Sequence, residues 1–275
     1  MPPPPSQPPG GYGPPPPGQG PPPPGYGPPP GYGPPPGGYG AGGGMPPGMP
    51  APYSPIDAIS YALRKFGENV GIFLLMGVLT LVAGGGVQFI FNLAGGGLEV
   101  YSNPINPDNP SSEASLASSM IQLTGLVLSS LLSWIVGLAL LRGALDVVDT
   151  GRVDLGQMFS RVPWGQGLLA GLLVGIAVFL GLFALCVGAI VVAFFLYYTN
   201  AAVLDGTSAV DAIKASFTFV KENLVDNLLL CLILGVGGGV LSFCTCGIAG
   251  VVVAPVTSLA IAYTWRVLQS RPVVA

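Results

Sequence analysis

Five stretches of the sequence contain no charged residue over lengths close to or above that of a membrane span. They are residues 70–94, 120–141, 167–204, 228–241 and 247–265. An α-helix needs about 20 apolar residues to cross the roughly 30 Å hydrocarbon core of a bilayer. The third stretch would be about 57 Å long as a single helix. We therefore predict two helices there, joined by a turn near Leu185–Gly188.

The fourth stretch reaches full length when the helix begins near Leu224 and includes Asp226 and Asn227. The sequence thus predicts an all-α, polytopic membrane domain over residues 54–270 with six transmembrane helices. We place the spans at about residues 70–94, 119–141, 167–185, 188–204, 224–241 and 247–265.

The composition excludes several classes of enzyme. Charged residues make up 8% of the chain, against about 25% in a soluble domain. The chain has no histidine, so catalytic pairs and metal sites that need one are excluded. No ionisable residue falls at mid-membrane depth, where ion-coupled transport normally requires one. We predict a protein that is not an enzyme and uses no cofactor or metal.

The basic residues all fall on one side of the predicted membrane. They are Arg64, Lys65, Arg142, Arg152, Arg161, Lys214, Lys221, Arg266 and Arg271. The long loop on the opposite side, residues 95–118, contains Glu99, Asp108 and Glu113 but no Lys or Arg. Because basic residues favour the cytoplasmic side, both termini are predicted to be cytoplasmic.

Residues 1–53 form a separate segment. Its first 52 residues hold 24 of the 31 prolines, 16 of the 43 glycines and no charged residue. Proline runs alternate with Gly-Tyr-Gly, and the tyrosines are Tyr12, Tyr26, Tyr32 and Tyr39. This composition predicts a disordered, partly extended tail. Two interpretations are open: a solubilising spacer, or a multivalent segment whose tyrosines and polyproline stretches bind partners weakly and in parallel.

Two segments resemble each other at a constant offset of 154 residues. Both begin with a Ser-x-x-Asp pattern, at Ser54 and Ser208, which is typical of a helix start. Steps of three and four residues give each helix one apolar stripe. The stripes are Ile56, Ile59, Leu63 and Phe66 in the first helix and Val210, Ile213, Phe217 and Val220 in the second. We predict two amphipathic helices at the cytoplasmic interface, with Tyr61 and Lys214 on their polar faces.

A third, weaker copy spans residues 153–166. There Asp154 and Gln166 repeat the spacing of Asp57 and Asn69, but Gly156 and Pro163 interrupt the stripe. The pattern predicts three units, each an interfacial helix followed by a transmembrane hairpin. The alternative is that the interface selects similar compositions without any repeat.

One stretch supports a resemblance to known proteins, namely residues 195–223, with the sequence FLYYTNAAVLDGTSAVDAIKASFTFVKEN. It resembles a segment of poorly characterised bacterial membrane proteins, a group that includes the membrane domain attached to some glycerophosphodiester phosphodiesterases. In that group a span ends in an acidic-glycine turn, here Asp205-Gly206, and an amphipathic helix follows. The tail also resembles those of proline- and glycine-rich bacterial membrane proteins. The resemblance implies a multi-span helical fold in a bacterial inner membrane and no enzymatic residue.

Glycines and cysteines supply the remaining candidates. Gly167, Gly171 and Gly175 give the third span a smooth face for helix packing. Glycine clusters at residues 84–86 and 237–239 suggest either bends or an unwound stretch lining a transport path. Cys186, Cys244 and Cys246 fall in outer turns, and a disulfide from Cys186 to either of the others is one interpretation. Reduced, buried thiols are the other.

Two functions from different classes are compatible with this sequence. The first is a non-enzymatic membrane protein that recruits protein partners through its tail and organises the envelope. The second is a lipid or small-molecule permease or scramblase, lined by the glycine clusters and by Gln88, Asn92 and Gln122. The expected partners are the lipid bilayer, unidentified proteins and a further copy of the chain, and not nucleic acid.

Overall fold

The computed structural model describes residues 53–96, 116–183 and 187–274, and every regular element in these ranges is a helix. All of them belong to one compact unit, residues 45–275. The α-helices are α1 Pro55–Glu68, α2 Val70–Leu81, α3 Val87–Ala94, α4 Leu116–Thr150, α5 Leu155–Ser160, α6 Trp164–Leu182, α7 Val187–Phe195, α8 Thr199–Leu204, α9 Ala209–Glu222, α10 Leu224–Leu232, α11 Gly238–Cys244 and α12 Gly250–Val267.

Six helical stretches within the described ranges are long and apolar enough to cross a membrane. They are Val70–Ala94, Ala117–Thr150, Trp164–Leu182, Val187–Leu204, Leu224–Cys244 and Gly250–Val267. The all-helical class and the six candidate spans are therefore as predicted. The long third stretch is indeed two helices, because α6 ends at Leu182 and α7 begins at Val187.

Two spans differ from their predicted form. The second does not end at residue 141, since α4 continues for 35 residues in all, a length of about 52 Å. Its last turns therefore carry Arg142, Asp146 and Asp149 on a continuous helix. The fourth span is broken at residues 196–198, between α7 and α8.

The repeat at offset 154 is present in the structure. Helices α1 and α9 have 14 residues each, and from residue 56 to 76 the two copies agree in burial at all but two positions. Each helix ends at an asparagine whose Nδ2 donates to the carbonyl four residues earlier, 3.2 Å for Asn69 and 3.0 Å for Asn223. The predicted cap forms only at Ser208, since Ser54 makes no capping hydrogen bond.

Glycine-rich π-helical segments interrupt the spans that follow these two helices. They are Val82–Gly86, between α2 and α3, and Ile233–Gly237, between α10 and α11. The first predicted glycine cluster therefore lies in a π-helical segment rather than in an unwound stretch. Of the second cluster only Gly237 is π-helical, and Gly238 and Gly239 begin α11. Gly84 lies against Ser133 of α4, and the equivalent Gly238 lies against Val253 of α12. Gly237 and Gly239 face open space.

The predicted apolar stripes lie mainly on the outward faces of α1 and α9. Ile56, Leu63, Val210 and Phe217 are exposed, Ile59, Phe66 and Ile213 are partly buried, and Val220 is buried. The faces that dock on the bundle combine small or polar residues with a few large ones. They carry Ala58, Ala62, Ala212 and Ser216 together with Tyr61, Phe219 and Val220. The placement of Tyr61 on an exposed polar face is wrong, because the bundle covers it and its hydroxyl donates to Val274 O at 2.9 Å.

The helices form three consecutive units that pack on one another in a closed ring, which we call the three-unit ring. Unit 1 comprises α1–α4, unit 2 α5–α8 and unit 3 α9–α12. Helix α5 packs on α4, α9 packs on α8, and α1 packs on α12. Each unit's first helix thus docks on the preceding unit's second span, and unit 1 docks on unit 3.

The middle copy differs from its predicted alignment. Helix α5 has only six residues, and Asp154 is its N-cap, accepting from Gln157 N at 2.9 Å. Asp154 therefore corresponds to Ser208 rather than to Asp211. Gln166 lies inside α6, and its Oε1 accepts from Ala209 N at the start of α9 at 3.0 Å.

Close helix contacts depend on particular glycines. Gly167 and Gly171 lie against Trp134 and Leu138 of α4, as a packing role requires, but Gly175 faces open space. The tightest approach is at Gly77 of α2, which lies against the backbone of Val251 in α12. The pattern at residues 167–175 did not reveal this position.

Gly77→Ala should destabilise the protein, because its Cβ would collide with a backbone carbonyl that cannot move aside. We expect a cost of about 1 to 3 kcal/mol from overpacking, which exceeds the gain of about 1 kcal/mol in helix propensity. Gly71→Ala on the same helix is the control, since nothing lies within 4 Å of its added Cβ. Thermal unfolding in detergent should show a lower melting temperature for Gly77→Ala only; equal melting temperatures would contradict the observed α2–α12 contact.

Candidate functional site at the charged end of the bundle

All described charged residues lie at one end of the candidate spans. The described ranges contain nine Lys or Arg and nine Asp or Glu, so this end has no net formal charge. Ion pairs and hydrogen bonds here link helices of different units, and this charged end is the polar cluster best suited to a functional role.

Arg266, at the end of α12, connects all three units. Its Nε and Nη2 bind the two carboxylate oxygens of Asp149 at 2.7 and 2.8 Å, and its Nη1 binds Asp205 Oδ2 at 2.6 Å. Asp149 lies at the end of α4 and Asp205 follows α8. One buried guanidinium thus joins the ends of the second, fourth and sixth spans.

Asp205 is held ionised by this arrangement. Its Oδ2 also accepts from Trp265 Nε1 at 2.8 Å and from Arg271 Nη1 at 3.0 Å. Burial of the carboxylate opposes ionisation, but the hydrogen bonds from Arg266 and Trp265, with the charges of Arg266 and Arg271, outweigh it. The pKa of Asp205 therefore lies below its usual value.

A second polar link joins unit 1 to unit 2. Arg142 Nη2 binds Asp146 Oδ1 at 2.8 Å, and Arg142 Nη1 donates to Leu204 O at 3.2 Å. Arg161 approaches the same carboxylate at 3.6 Å. The last turns of α4 therefore contact the end of α8 through Arg142 and approach Arg161 through Asp146.

Ser216 of α9 accounts for the break in the fourth span. Its hydroxyl donates to Phe195 O at 2.9 Å and accepts from Tyr198 N at 3.1 Å. These backbone groups lie at the break between α7 and α8, where intrahelical partners are missing. Tyr198, Phe219 and Trp265 pack together beside it, with ring centroids 4.7 to 5.8 Å apart.

The start of α1 is fixed to the last span. Tyr53 OH lies 2.8 Å from Thr264 Oγ1 of α12, and burial raises the pKa of Tyr53 to about 12. The extended residues after α12 add a second attachment, because Val274 N donates to Val148 O at 2.9 Å and Val274 O accepts from Tyr61. Tyr53 is the last residue of the proline-rich segment, and this contact fixes it to α12.

Several predicted residues lie apart from this end or outside the described ranges. Tyr12, Tyr26, Tyr32, Tyr39 and Cys186 fall outside them, so the sticker and disulfide hypotheses remain predictions. Cys244 and Cys246 are exposed, and their thiols are free. Within the described residues, no three metal-ligating side chains come together.

Sequence reasoning missed the Arg266 cluster. It used Arg266 only to orient the spans and Asp205 only as part of a turn. The available signal was that Asp149, Asp205 and Arg266 each follow the apolar part of an even-numbered span, where antiparallel hairpins return to the same side of the membrane. Opposite charges at equivalent ends of neighbouring spans can pair there.

Comparison with known proteins places the chain in a family without an assigned role. Residues 115–274 match the family described as "Domain of unknown function (DUF7847)". The chain belongs to this family. It is 31% identical over 253 residues to the "Uncharacterized protein Rv2560" of Mycobacterium tuberculosis H37Rv, covering 83% of this chain and 74% of that protein. "Uncharacterized protein Mb2590" of Mycobacterium bovis matches with the same identity and coverage. No solved structure matches. The matched region of this DUF7847 protein contains the whole Arg266 cluster.

Arg266→Gln should destabilise the three-unit ring, because Asp149 and Asp205 would lose their shared cation. Breaking a buried pair typically costs about 3 to 5 kcal/mol. Arg64→Gln is the matched control, since Arg64 makes an exposed pair with Glu68 at 4.0 Å, and such pairs contribute about 0 to 1 kcal/mol. Thermal unfolding in detergent compares the stability of the two variants. Similar losses of stability would show that the Arg266 cluster contributes little to the stability of the fold.

The acid stability of the protein should depend on Asp205. Its pKa is lowered in the folded state, so its contribution is full above the unfolded value of about 3.9 and is lost as pH falls through the lower folded value. Asp205→Asn should be less stable than wild type at neutral pH, and the difference should shrink below about pH 4. Melting temperatures from pH 3 to 7 test this. A difference that does not change with pH would contradict ionic stabilisation by Asp205.

Proposed function

We propose that this protein is a non-enzymatic scaffold in a bacterial cytoplasmic membrane. In this proposal the charged end faces the cytoplasm, both termini are cytoplasmic, and residues 1–53 recruit protein partners. Positions of Lys and Arg support the orientation, and the mycobacterial relatives support a bacterial envelope. The resemblance to proline- and glycine-rich bacterial membrane proteins is in line with this proposal.

The fixed attachment of α1 carries the proposal. Tyr53 and Tyr61 bind α12 and the segment after it, so the last residue of the tail is held against the most buried of the six candidate spans. A flexible recruiting segment gains effective concentration when its base is fixed at a membrane surface. A packed helical bundle whose three units are joined by the ion pairs of Arg266 provides such a fixed base.

Charge indicates how the tail would recognise partners. The tail has no charged residue, and the charged end of the bundle balances nine cations with nine anions. Long-range electrostatic attraction is therefore weak at both surfaces. Recognition would depend on proline rings and tyrosine faces, which suit aromatic-lined grooves.

A lipid permease or scramblase is the second candidate. The two π-helical segments favour it, because π-helical turns within helices are frequent at functional sites. Two of the three polar side chains expected to line a path, Gln88 and Asn92, make hydrogen bonds within the protein instead. Ser129 Oγ donates to Gln88 Oε1 and Asn92 Nδ2 donates to Gln88 O, both at 3.2 Å. Purified protein in liposomes that accelerates lipid scrambling over empty vesicles would favour this candidate over the scaffold.

Removal of residues 2–52 should abolish partner capture while leaving the membrane domain folded. Cross-linking pull-downs from cells would compare the full chain with this deletion and with a variant carrying alanine at Tyr12, Tyr26, Tyr32 and Tyr39. We expect partners with the full chain, few with the tyrosine variant and none with the deletion. An unchanged partner set after deletion would refute recruitment by the tail.

Orientation is tested by single cysteines in a cysteine-free background. A cysteine at Ser112 should react with an impermeant maleimide on intact cells. Cysteines at Ser6, Thr150 and Ser270 should react only after permeabilisation. Labelling at Thr150 on intact cells would reverse the proposed topology.

A further inference from the structure

Two exposed cysteines lie at the turn between α11 and α12. Cys244 is the last residue of α11, and Cys246 follows two positions later. Both side chains are exposed and both thiols are free. The charged end of the bundle lies at the other ends of these spans. Cys244 and Cys246 are therefore not part of the Arg266 cluster.

The backbone of this turn holds Cys246 in an unusual conformation. Gly247 N donates to Ser242 O at 2.6 Å, and Cys246 N donates to Phe243 O at 3.2 Å, the two hydrogen bonds of a Schellman motif. They place Cys246 at a φ of 51°, in the left-handed region. Glycine normally occupies this position because a Cβ is unfavourable there. After α3, α4 and α8 the left-handed residue is a glycine, namely Gly96, Gly151 and Gly206.

The Cα atoms of Cys244 and Cys246 are close enough for a disulfide. Residues two positions apart have Cα atoms at most about 7 Å apart when fully extended, and a turn shortens this towards the usual disulfide range of about 4.4 to 6.8 Å. Thr245 braces the turn between them. Its Oγ1 donates to Leu241 O and accepts from Ala249 N, both at 2.9 Å. The backbone that separates the two cysteines is therefore fixed by local hydrogen bonds.

We propose that Cys244 and Cys246 form a reversible disulfide redox site at this turn. The thiolate of one cysteine attacks an external disulfide, forming a mixed disulfide and releasing one thiolate. The second cysteine thiolate attacks the protein sulfur of that mixed disulfide, closes the Cys244–Cys246 bond and releases the second thiolate. The two cysteine protons go to the released thiolates, so the pair loses two electrons and the external disulfide gains them. The proposed orientation would place the turn outside the cytoplasm, where disulfides persist.

The test uses full-length protein with Cys186→Ser and Cys231→Ser, purified in lipid nanodiscs. Glutathione disulfide should lower its intact mass by about 2 Da and protect both remaining cysteines from maleimide. Dithiothreitol should restore both reactive thiols. Persistent maleimide reactivity, or glutathione adducts that never resolve to a ring, would overturn the proposal.

Cys246→Gly in the same background is the matched control. Glycine suits the left-handed position, so this variant should melt at or above the temperature of its parent, keep one reactive thiol and gain only a glutathione adduct. A clearly lower melting temperature would assign Cys246 a structural role and overturn the redox proposal. In the wild-type chain, peptide mapping after oxidation should recover the Cys244–Cys246 bond. A bond from either cysteine to Cys186, or between molecules, would overturn it.

Discussion

The buried guanidinium of Arg266 is the interaction on which the arrangement of the three units depends. It is the point where unit 3 binds carboxylates of both unit 1 and unit 2. Apolar contacts alone give little preference for one order of helices in a bilayer, because lipid tails are as apolar as the side chains. A shared buried cation specifies which span ends meet. Removal of that cation would leave two carboxylates without their partner at the base of the bundle.

The interfacial helices α1 and α9 also help to determine which units are neighbours in the ring. Their docking faces include several small and polar residues, and four of the large apolar stripe residues remain exposed, namely Ile56, Leu63, Val210 and Phe217. This distribution is the reverse of a soluble amphipathic helix and suits a helix placed between protein and lipid. Because α1 closes the ring on α12, Tyr53 at the end of the proline-rich segment is held against the last span. A scaffold would use this connection to hold its recruiting segment at one place on the membrane.

Periodicity and charge predicted much of the fold but little of the site. The uncharged runs indicated six apolar helices, and the offset of 154 residues predicted the matching helices α1 and α9. The outward position of Leu63 and Phe217 agrees with helices at a membrane interface, whereas the burial of Val220 could not be read from the stripe, because an apolar stripe is compatible with packing on either protein or lipid. The break at residues 196–198 depends on Ser216, which is 18 residues from Tyr198 in sequence. Pairing of Arg266 with Asp149 likewise joins residues 117 positions apart, and no local pattern encodes it.

Closure of the ring by α1 is tested most directly by photo-cross-linking from Tyr61. The rings of Tyr61 and Tyr263 are 4.4 Å apart between centroids, so p-benzoylphenylalanine at position 61 should cross-link to the α12 peptide that contains Tyr263. The same probe at the exposed Leu63 should not capture α12. Mass spectrometry of the digested protein after irradiation in membranes gives the answer. Capture of α12 from position 61 alone is predicted, and its absence, or equal capture from both positions, would contradict a ring closed by α1.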